Sequence, residues 1–438
     1  MGCQMKFGKV ICMSAVATCI AFSALAQGLP KASQPEDVGF SSERLKRVTS
    51  AFQTDVDKGT IPGAVVLIAR NGKVAYLEAI GFQDREKKVP MSTDAIFQIA
   101  SMTKPFTSVA IMMLVEEGKI LLSDPASVYL PEFKTLQVGV EKINVATGNA
   151  ELSLEPAQRQ MTIQDLLRHT SGLTYSFLGK SLVKEAYSEA KVFDPNQTLA
   201  EFVTKLSKLP LAHQPGTTWD YSMSTDVLGR IVEVVSGVPF DQFIADRIVK
   251  PLRLSDTGFF VAEEKAGRVA RPQVDPATGK PPPIADVTKR PNWMSGGGGM
   301  VSTASDYVRF SQMLLNGGEL DGARLLSPHT VALMTSDQTP PDIAYSREAL
   351  QIFEPLGIAP TPRDGQGFGL GFMVRTRTGQ NMVPGSPGVF YWQGAWGTAF
   401  WVDPKEKLIA VLLVQVPLLQ GPHYQSLIRN LVYQALMN

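Results

Sequence analysis

Ser101 and Lys104 stand three residues apart in Ala95-Ile96-Phe97-Gln98-Ile99-Ala100-Ser101-Met102-Thr103-Lys104-Pro105-Phe106. On a helix that separation puts both side chains on one face, so the lysine amine can reach the serine hydroxyl. A hydroxyl beside an amine base is an activated nucleophile, suited to attack on a carbonyl. The spacing alone carries little weight, because Ser181–Lys184 and Ser188–Lys191 repeat it. Those copies lie in a charge-alternating stretch that reads as a solvated helix surface, with a capping serine and an exposed lysine. Ser101 is set apart by its surroundings. An apolar run precedes it, Pro105 belongs in the first turn of a helix, and Val109, Met112 and Met113 give that helix a buried face. Free N–H groups and the positive dipole end at such a helix start favour developing negative charge.

Two further segments carry candidate side chains. Tyr221 follows the Pro215-Gly216 turn and precedes another helix pattern; taken alone it reads as a packed amphipathic ring. Tyr391-Trp392-Gln393-Gly394-Ala395-Trp396-Gly397 enters a late hairpin. Gly394 and Ala395 would let a substrate approach the backbone, although by itself the stretch reads as an aromatic-rich core strand. His169, His213, His329 and His423 are isolated, with no H-x-x-x-H spacing, so neither a metal nor another cofactor is expected. His169 reads as a contact at a helix C-terminus. No G-x-S-x-G elbow occurs, and Gly296 to Gly299 lacks a P-loop lysine, so it reads as a tight buried passage of backbone.

The positioning elements follow from periodicity. Ser41 or Ser42 can cap a helix carrying Leu45, Val48, Phe52 and Val56 on one face. Asn71-Gly72 between two apolar runs predicts a hairpin, and a turn near Asp84-Arg85-Glu86 leads to the Ser101 stretch. From about Leu121 to Pro282 the pattern is mainly helical, including a capped helix from Thr162 stopped by Gly172 and another through Val227, Ile231 and Val234 stopped by Gly237. Residues 133–160, 271–293 and 339–366 have poor periodicity and read as long loops that shape a site. Residues 367–374 alternate glycine with bulk, as if another backbone passes close by. Residues 399–402 and 408–414 form a hairpin, and Leu427 to Leu436 a last amphipathic helix. Strands at both ends with helices between predict an α/β chain of the α+β type, its antiparallel sheet built from both termini and flanked by helices. The expected division is 1–26 as a leader, 27–120 with 290–438 as the sheet lobe, and 121–289 as a mainly helical lobe, with the site between the lobes.

The chain has 438 residues, 44% of them hydrophobic, and a formal net charge of +1 without long runs of one sign. It can bury a large core, and nothing in its charge points to nucleic acid or an anionic membrane. Lys6 and Lys9, the apolar run Val10 to Phe22, and Ala24-Leu25-Ala26 read as a signal peptide with its cleavage site. The apolar run is too short for a membrane anchor. All three cysteines, Cys3, Cys12 and Cys19, fall in that leader. An exported mature protein, periplasmic or secreted, without disulfides or a thiol nucleophile is expected.

Ser101-x-x-Lys104, Tyr221-Ser222 and Trp392-x-Gly394, in that order, resemble the penicillin-binding serine hydrolases. The pattern is most similar to the carboxylesterases related to class C β-lactamases, the family VIII esterases. The likeness extends through Met161 to Leu173, Pro215 to Gly229, Pro251 to Phe259 and Ser295 to Thr303. It implies the β-lactamase/penicillin-binding-protein-like fold and acyl transfer through a covalent Ser101 ester. Lys104 and Tyr221 would move the serine proton, and the N–H groups of Ser101 and Ala395 would form an oxyanion hole. Trp392 and Gly394 would contact the substrate. Two departures bear on substrate. Met223 stands where β-lactamases of this type carry asparagine, and Trp392 stands where they carry the lysine that meets a carboxylate. An indole cannot pair with a carboxylate, which favours a small neutral ester with at most weak β-lactam hydrolysis. The alternatives are a class C-like β-lactamase or D-amino-acid peptidase using the same serine, and a non-catalytic penicillin-binding or sensor module on the same fold.

Overall fold

The computed structural model describes residues 28–274, 285–347, 359–417 and 420–437, together with residues 1, 2, 279, 350 and 351. The expected leader with its three cysteines, and the triple proline 281–283, lie outside these residues.

Helix α1 (Ser42–Asp57) starts at Ser41, whose hydroxyl accepts from the Arg44 amide, and buries Leu45, Val48, Phe52 and Val56. Strands β1 (Gly63–Arg70) and β2 (Lys73–Asp84) pair antiparallel across Asn71 and Gly72, which take φ of 54° and 74°. Positive φ at both central residues is the turn that matches the twist of paired strands. After β3 (Val89–Pro90) and β4 (Phe97–Gln98) comes α2 (Lys104–Glu116), buried at every position from Lys104 to Leu114. A helix buried on all faces is a central strut.

The middle of the chain holds the hairpin β5 (Gln137–Ile143) and β6 (Ala150–Pro156), then α3 (Ile163–Leu167), α4 (Leu182–Glu189) and α5 (Leu199–Leu206). Strand β7 (Thr218–Trp219), α6 (Ser224–Ser236) and α7 (Phe240–Ile244) follow. Beyond these lie β8 (Val301–Ser302), α8 (Ala304–Leu315), the small hairpin β9 (Glu319–Leu320) and β10 (Ala323–Arg324), α9 (Pro328–Met334) and β11 (Ala344–Tyr345). The chain closes with β12 (Gln366–Phe368), β13 (Met373–Arg375), β14 (Phe390–Gln393), β15 (Ala399–Asp403), β16 (Leu408–Val414) and α10 (Gly421–Tyr433).

The main sheet has the order β12-β13-β14-β15-β16-β1-β2-β3, so β1 lies between the last strand and the second. Its strand pairs are antiparallel. Side-chain alternation sorts its two faces. On β15, Phe400 meets Tyr307 of α8 with centroids 4.8 Å apart, while Trp401 stacks on Tyr433 of α10 at 6.4 Å. On β14, Tyr391 lies under the Arg429 guanidinium of α10, and Trp392 turns to the opposite side.

Four local expectations change. Residues 133–160 contain the β5–β6 hairpin, in which Val138 and Val140 alternate along one strand and Leu152 and Leu154 along the other, each over a few residues only. The helix from Thr162 ends at Leu167, well before Gly172, because His169 takes a φ of 60°. Residues 367–374 form a tight hairpin between β12 and β13 rather than one strand. The close backbone there is real, since a Cβ on Gly369 would lie 2.1 Å from the Met334 carbonyl oxygen. Finally, Ser181 does cap α4, but Lys184 is buried, its ammonium donating to the Leu178 carbonyl.

Candidate active site

Ser101 sits in a 3-10 turn, Ala100–Thr103, that runs directly into α2 at Lys104. Ala100 has a φ of 44°, and a non-glycine residue held there marks local backbone strain next to Ser101. Pro105 occupies the first turn, as its missing N–H requires. The turn is fixed from outside. Thr103 Oγ1 accepts from the Met300 amide at 3.0 Å, Thr107 Oγ1 donates to the Gly296 carbonyl at 2.8 Å, and β4 pairs with β8.

Lys104 is fully buried, and its Nζ has three polar neighbours: Gly297 O at 2.7 Å, Tyr175 Oη at 3.1 Å and Ser101 Oγ at 3.4 Å. They match the three donor positions of an ammonium. The carbonyl of Gly297 can only accept, so it orients the amine whatever its charge. Nζ also lies 4.7 Å from the Tyr221 ring centroid. Tyr221 is held among Tyr175 (5.2 Å), Trp392 (5.2 Å) and His169 (4.9 Å). It precedes α6, whose first residues Ser224 to Gly229 are buried, Met223 included.

His169 is fully buried, with Nδ1 3.2 Å from Ser222 Oγ; burial, and then the Lys104 charge, holds its imidazole well below 6.5. The chain holding it is anchored by Asp165, which pairs with Arg159 and with Arg168 at 3.0 Å and closes a capping box with Thr162.

Two contributors, Tyr175 and Asp226, were not singled out in the sequence, and a third, Gly297, was read only as tightly packed backbone. Tyr175 lies just beyond the Met161–Leu173 segment. Burial, reinforced by Tyr221 and Asp226, pushes its phenol well above 10, so it stays a neutral hydrogen-bonding group. Asp226, in the first turn of α6, reads as an ordinary acidic helix start. It points inward, accepting from Ser295 Oγ at 2.5 Å and Gly297 N at 3.1 Å. Burial raises its carboxyl above 3.8, with the Lys104 charge opposing. Gly297 itself is required: a Cβ there would lie 2.4 Å from Asp226 Oδ2. The glycine run is buried only at Gly296 and Gly297, while Gly298 is exposed and Gly299 half-buried where the run reaches the cavity wall, so the expectation of a buried passage holds for its first half alone. Gly297 also hands a carbonyl to the amine.

Opposite the amine, Gly394 follows β14 and packs against the Ser101 turn; a Cβ there would lie 2.4 Å from the Ile99 carbonyl oxygen. Its small size therefore serves backbone packing as well as access. The Gly394 amide donates to Thr398 O at 2.8 Å, which leaves Ala395 on the cavity wall. Among the described residues, neither the Ser101 nor the Ala395 N–H has a hydrogen-bond partner within the protein. Ser101, Tyr175, Tyr221, Asp226, Gly297, Trp392, Gly394 and Ala395 all line one cavity of about 390 Å³. The structure brings the expected site residues to one place; His213 instead pairs with Asp220 at 3.1 Å, and His329 and His423 lie on the surface.

A serine, a buried lysine and a tyrosine around one cleft, on this sheet, define the class, and the chain belongs to the β-lactamase family, whose model matches residues 48–423. An uncharacterized protein of Mycobacterium tuberculosis is 36% identical over 82% of this chain and 87% of its own length. Esterase EstB of Burkholderia gladioli is 30% identical over 84% of this chain and 89% of its own. Among solved structures, EstCE1, described as a hydrolase with promiscuous acyltransferase activity, superposes with a TM-score of 0.72 at 28% identity, over 91% of this chain and 99% of its own.

Proposed function

We propose that this chain is a serine carboxylesterase that hydrolyses short-chain carboxylic esters through an acyl-enzyme on Ser101. The observation that carries the reading is the Lys104 amine, buried and oriented by Gly297 O at 2.7 Å while 3.4 Å from Ser101 Oγ. Ser101 Oγ attacks the ester carbonyl, and its proton passes to the Lys104–Tyr221 pair. The same pair protonates the departing alcohol, and water then releases the acid by the reverse relay. The Ser101 and Ala395 N–H groups stabilise the tetrahedral oxyanion.

Trp392 and Gly394 form the substrate wall. Trp392, buried against Tyr221 and Phe368, offers no charge to a carboxylate. This favours a neutral ester over a penicillin or cephalosporin. The test compares kcat/KM for a nitrophenyl butyrate and a chromogenic cephalosporin on purified protein, with Ser101→Ala as the blank. The ester should be favoured by orders of magnitude. A cephalosporin rate that equals it would replace this reading with a β-lactamase, and ester turnover by folded Ser101→Ala protein would remove Ser101 from the reaction.

The reading extends to a site between a sheet lobe (27–120 with 290–438) and a helical lobe (121–289), and to export to the periplasm or medium. Ser101 and Trp392 belong to the first lobe, Tyr175 and Tyr221 to the second. N-terminal sequencing of protein from the periplasm or medium should begin at Gln27.

A further inference from the structure

We infer that the cleft is built for esters in which one arm is an uncharged, flat aromatic or fused-ring group; this rests on the serine esterase reading above. A butyryl group would fill only a fraction of a cavity of about 390 Å³. What surrounds the remainder is a ladder of rings from separate segments. Tyr175 stacks with Phe177 (4.8 Å, 28°) and lies near-parallel to Phe193 (5.8 Å, 25°). Phe193 in turn meets Trp293 at 5.8 Å, and Phe202 of α5 backs Trp293 at 5.5 Å and 27°.

Phe177 and Phe193 are 58% and 37% exposed, yet both line this cavity. Contiguous exposed apolar surface inside a cleft marks a ligand-binding groove. The ladder starts at Tyr175, whose hydroxyl is held by Lys104, so an arm lying on it is joined to the reacting carbonyl. Phe177 and Phe193, the exposed pair, tilt 52° to each other, and Phe193 tilts 51° to Trp293, so a flat guest can stack on one ring and meet another edge-on. Aromatic pairs in either arrangement add to area burial, and a puckered ring of equal size forgoes that gain. The rings themselves carry no charge, and Lys104 and Asp226 are hydrogen-bonded within the protein, so an arm lying on the ladder is uncharged.

The experiment uses insulated rings, which leave ester reactivity unchanged. Vinyl 3-phenylpropionate is compared with vinyl 3-cyclohexylpropionate, and 2-phenylethyl butyrate with 2-cyclohexylethyl butyrate. In one of the two series the phenyl ester should lead by about three- to tenfold in kcat/KM, as one aromatic pair contributes. Phe177→Leu with Phe193→Leu, checked for native circular dichroism, should bring that ratio near one. Equal rates in both series, or a ratio that survives the double substitution, would overturn the inference. The ketone isosteres of the same four esters, titrated calorimetrically into Ser101→Ala, read the ladder without turnover. A phenyl preference there, with no ester hydrolysed by the unaltered protein, would keep the ladder and retire the esterase reading; no preference there would retire the ladder.

Discussion

Lys104 Nζ lies closer to the carbonyl oxygen of Gly297, at 2.7 Å, than to Ser101 Oγ, at 3.4 Å. The amine is therefore aimed by a peptide group that belongs to a different segment of the chain. That peptide is held in turn by the Asp226 carboxylate through the Gly297 N–H. The placement of the amine beside Ser101 thus depends on a glycine peptide nearly two hundred residues away in sequence.

Tyr221→Phe keeps the ring among Tyr175, His169 and Trp392 and removes only the hydroxyl. Loss of a positioned proton-transfer group should lower kcat/KM for butyrate esters by about 10²–10⁴-fold. The urea midpoint should stay close to that of the unaltered protein. A variant that loses activity only in proportion to lost fold would show Tyr221 to be structural.

Tyr175→Phe removes a hydroxyl 3.1 Å from the Lys104 amine. Hydrogen bonds to charged groups contribute about 1.5–3 kcal/mol, so a ten- to hundredfold fall in kcat is expected, with KM for a small ester nearly constant. An unchanged kcat would mean that Gly297 alone aims the amine.

Asp226→Asn preserves an acceptor for Ser295 and Gly297 but removes a buried negative charge near Lys104 and Tyr175. A neutral amide holds the Gly297 N–H less tightly than a carboxylate does, so kcat/KM for butyrate esters should fall about tenfold while the fold is kept. A fall that only tracks lost urea stability would assign Asp226 to packing.

His169 sets a stability window. Its imidazole is held well below 6.5 by burial and then by Lys104, so between that lowered value and 6.5 the unfolded chain binds a proton that the folded chain does not. Stability is therefore full above pH 6.5 and falls as pH is lowered through the window, by at most about 1.4 kcal/mol per pH unit from this group. Urea unfolding between pH 7.5 and 5 should have this slope, and His169→Asn should flatten it. An equal slope in both proteins would place the proton uptake elsewhere.

Much of this was legible in the sequence wherever a local signal coincided with the tertiary role. The Asn71-Gly72 turn, the Ser41 cap and Pro105 depend on backbone rules acting within a few residues, and all three hold. Ser101 and Lys104 needed helical spacing together with the apolar run, Pro105 and the buried helix face that set them apart from the other two copies. Tyr175 and Asp226 were hidden because their role comes from burial beside Lys104, which no nearby residue announces. Lys184 was misread for the same reason in reverse: a capped, charged helix looks solvated until its neighbours cover it. The β5–β6 strands each alternate, Val138 with Val140 and Leu152 with Leu154, but these runs are short, and pairing sets Val138 opposite Glu155 and Val140 opposite Ser153, so no continuous apolar face announced a hairpin.

Strand β1 is bonded on one side to β2 and on the other to β16, the last strand made. During synthesis Gly63 to Ala69, all buried in the finished sheet, must wait for a partner more than three hundred residues downstream. Ser101 likewise lacks its facing wall until Gly394 arrives. The chain thus folds with high contact order, slowly and with an apolar strand edge open until the end. Chains stopped short of Leu408 would leave that edge unpaired, and they are expected to aggregate as inert fragments and not to accumulate as partly active enzyme.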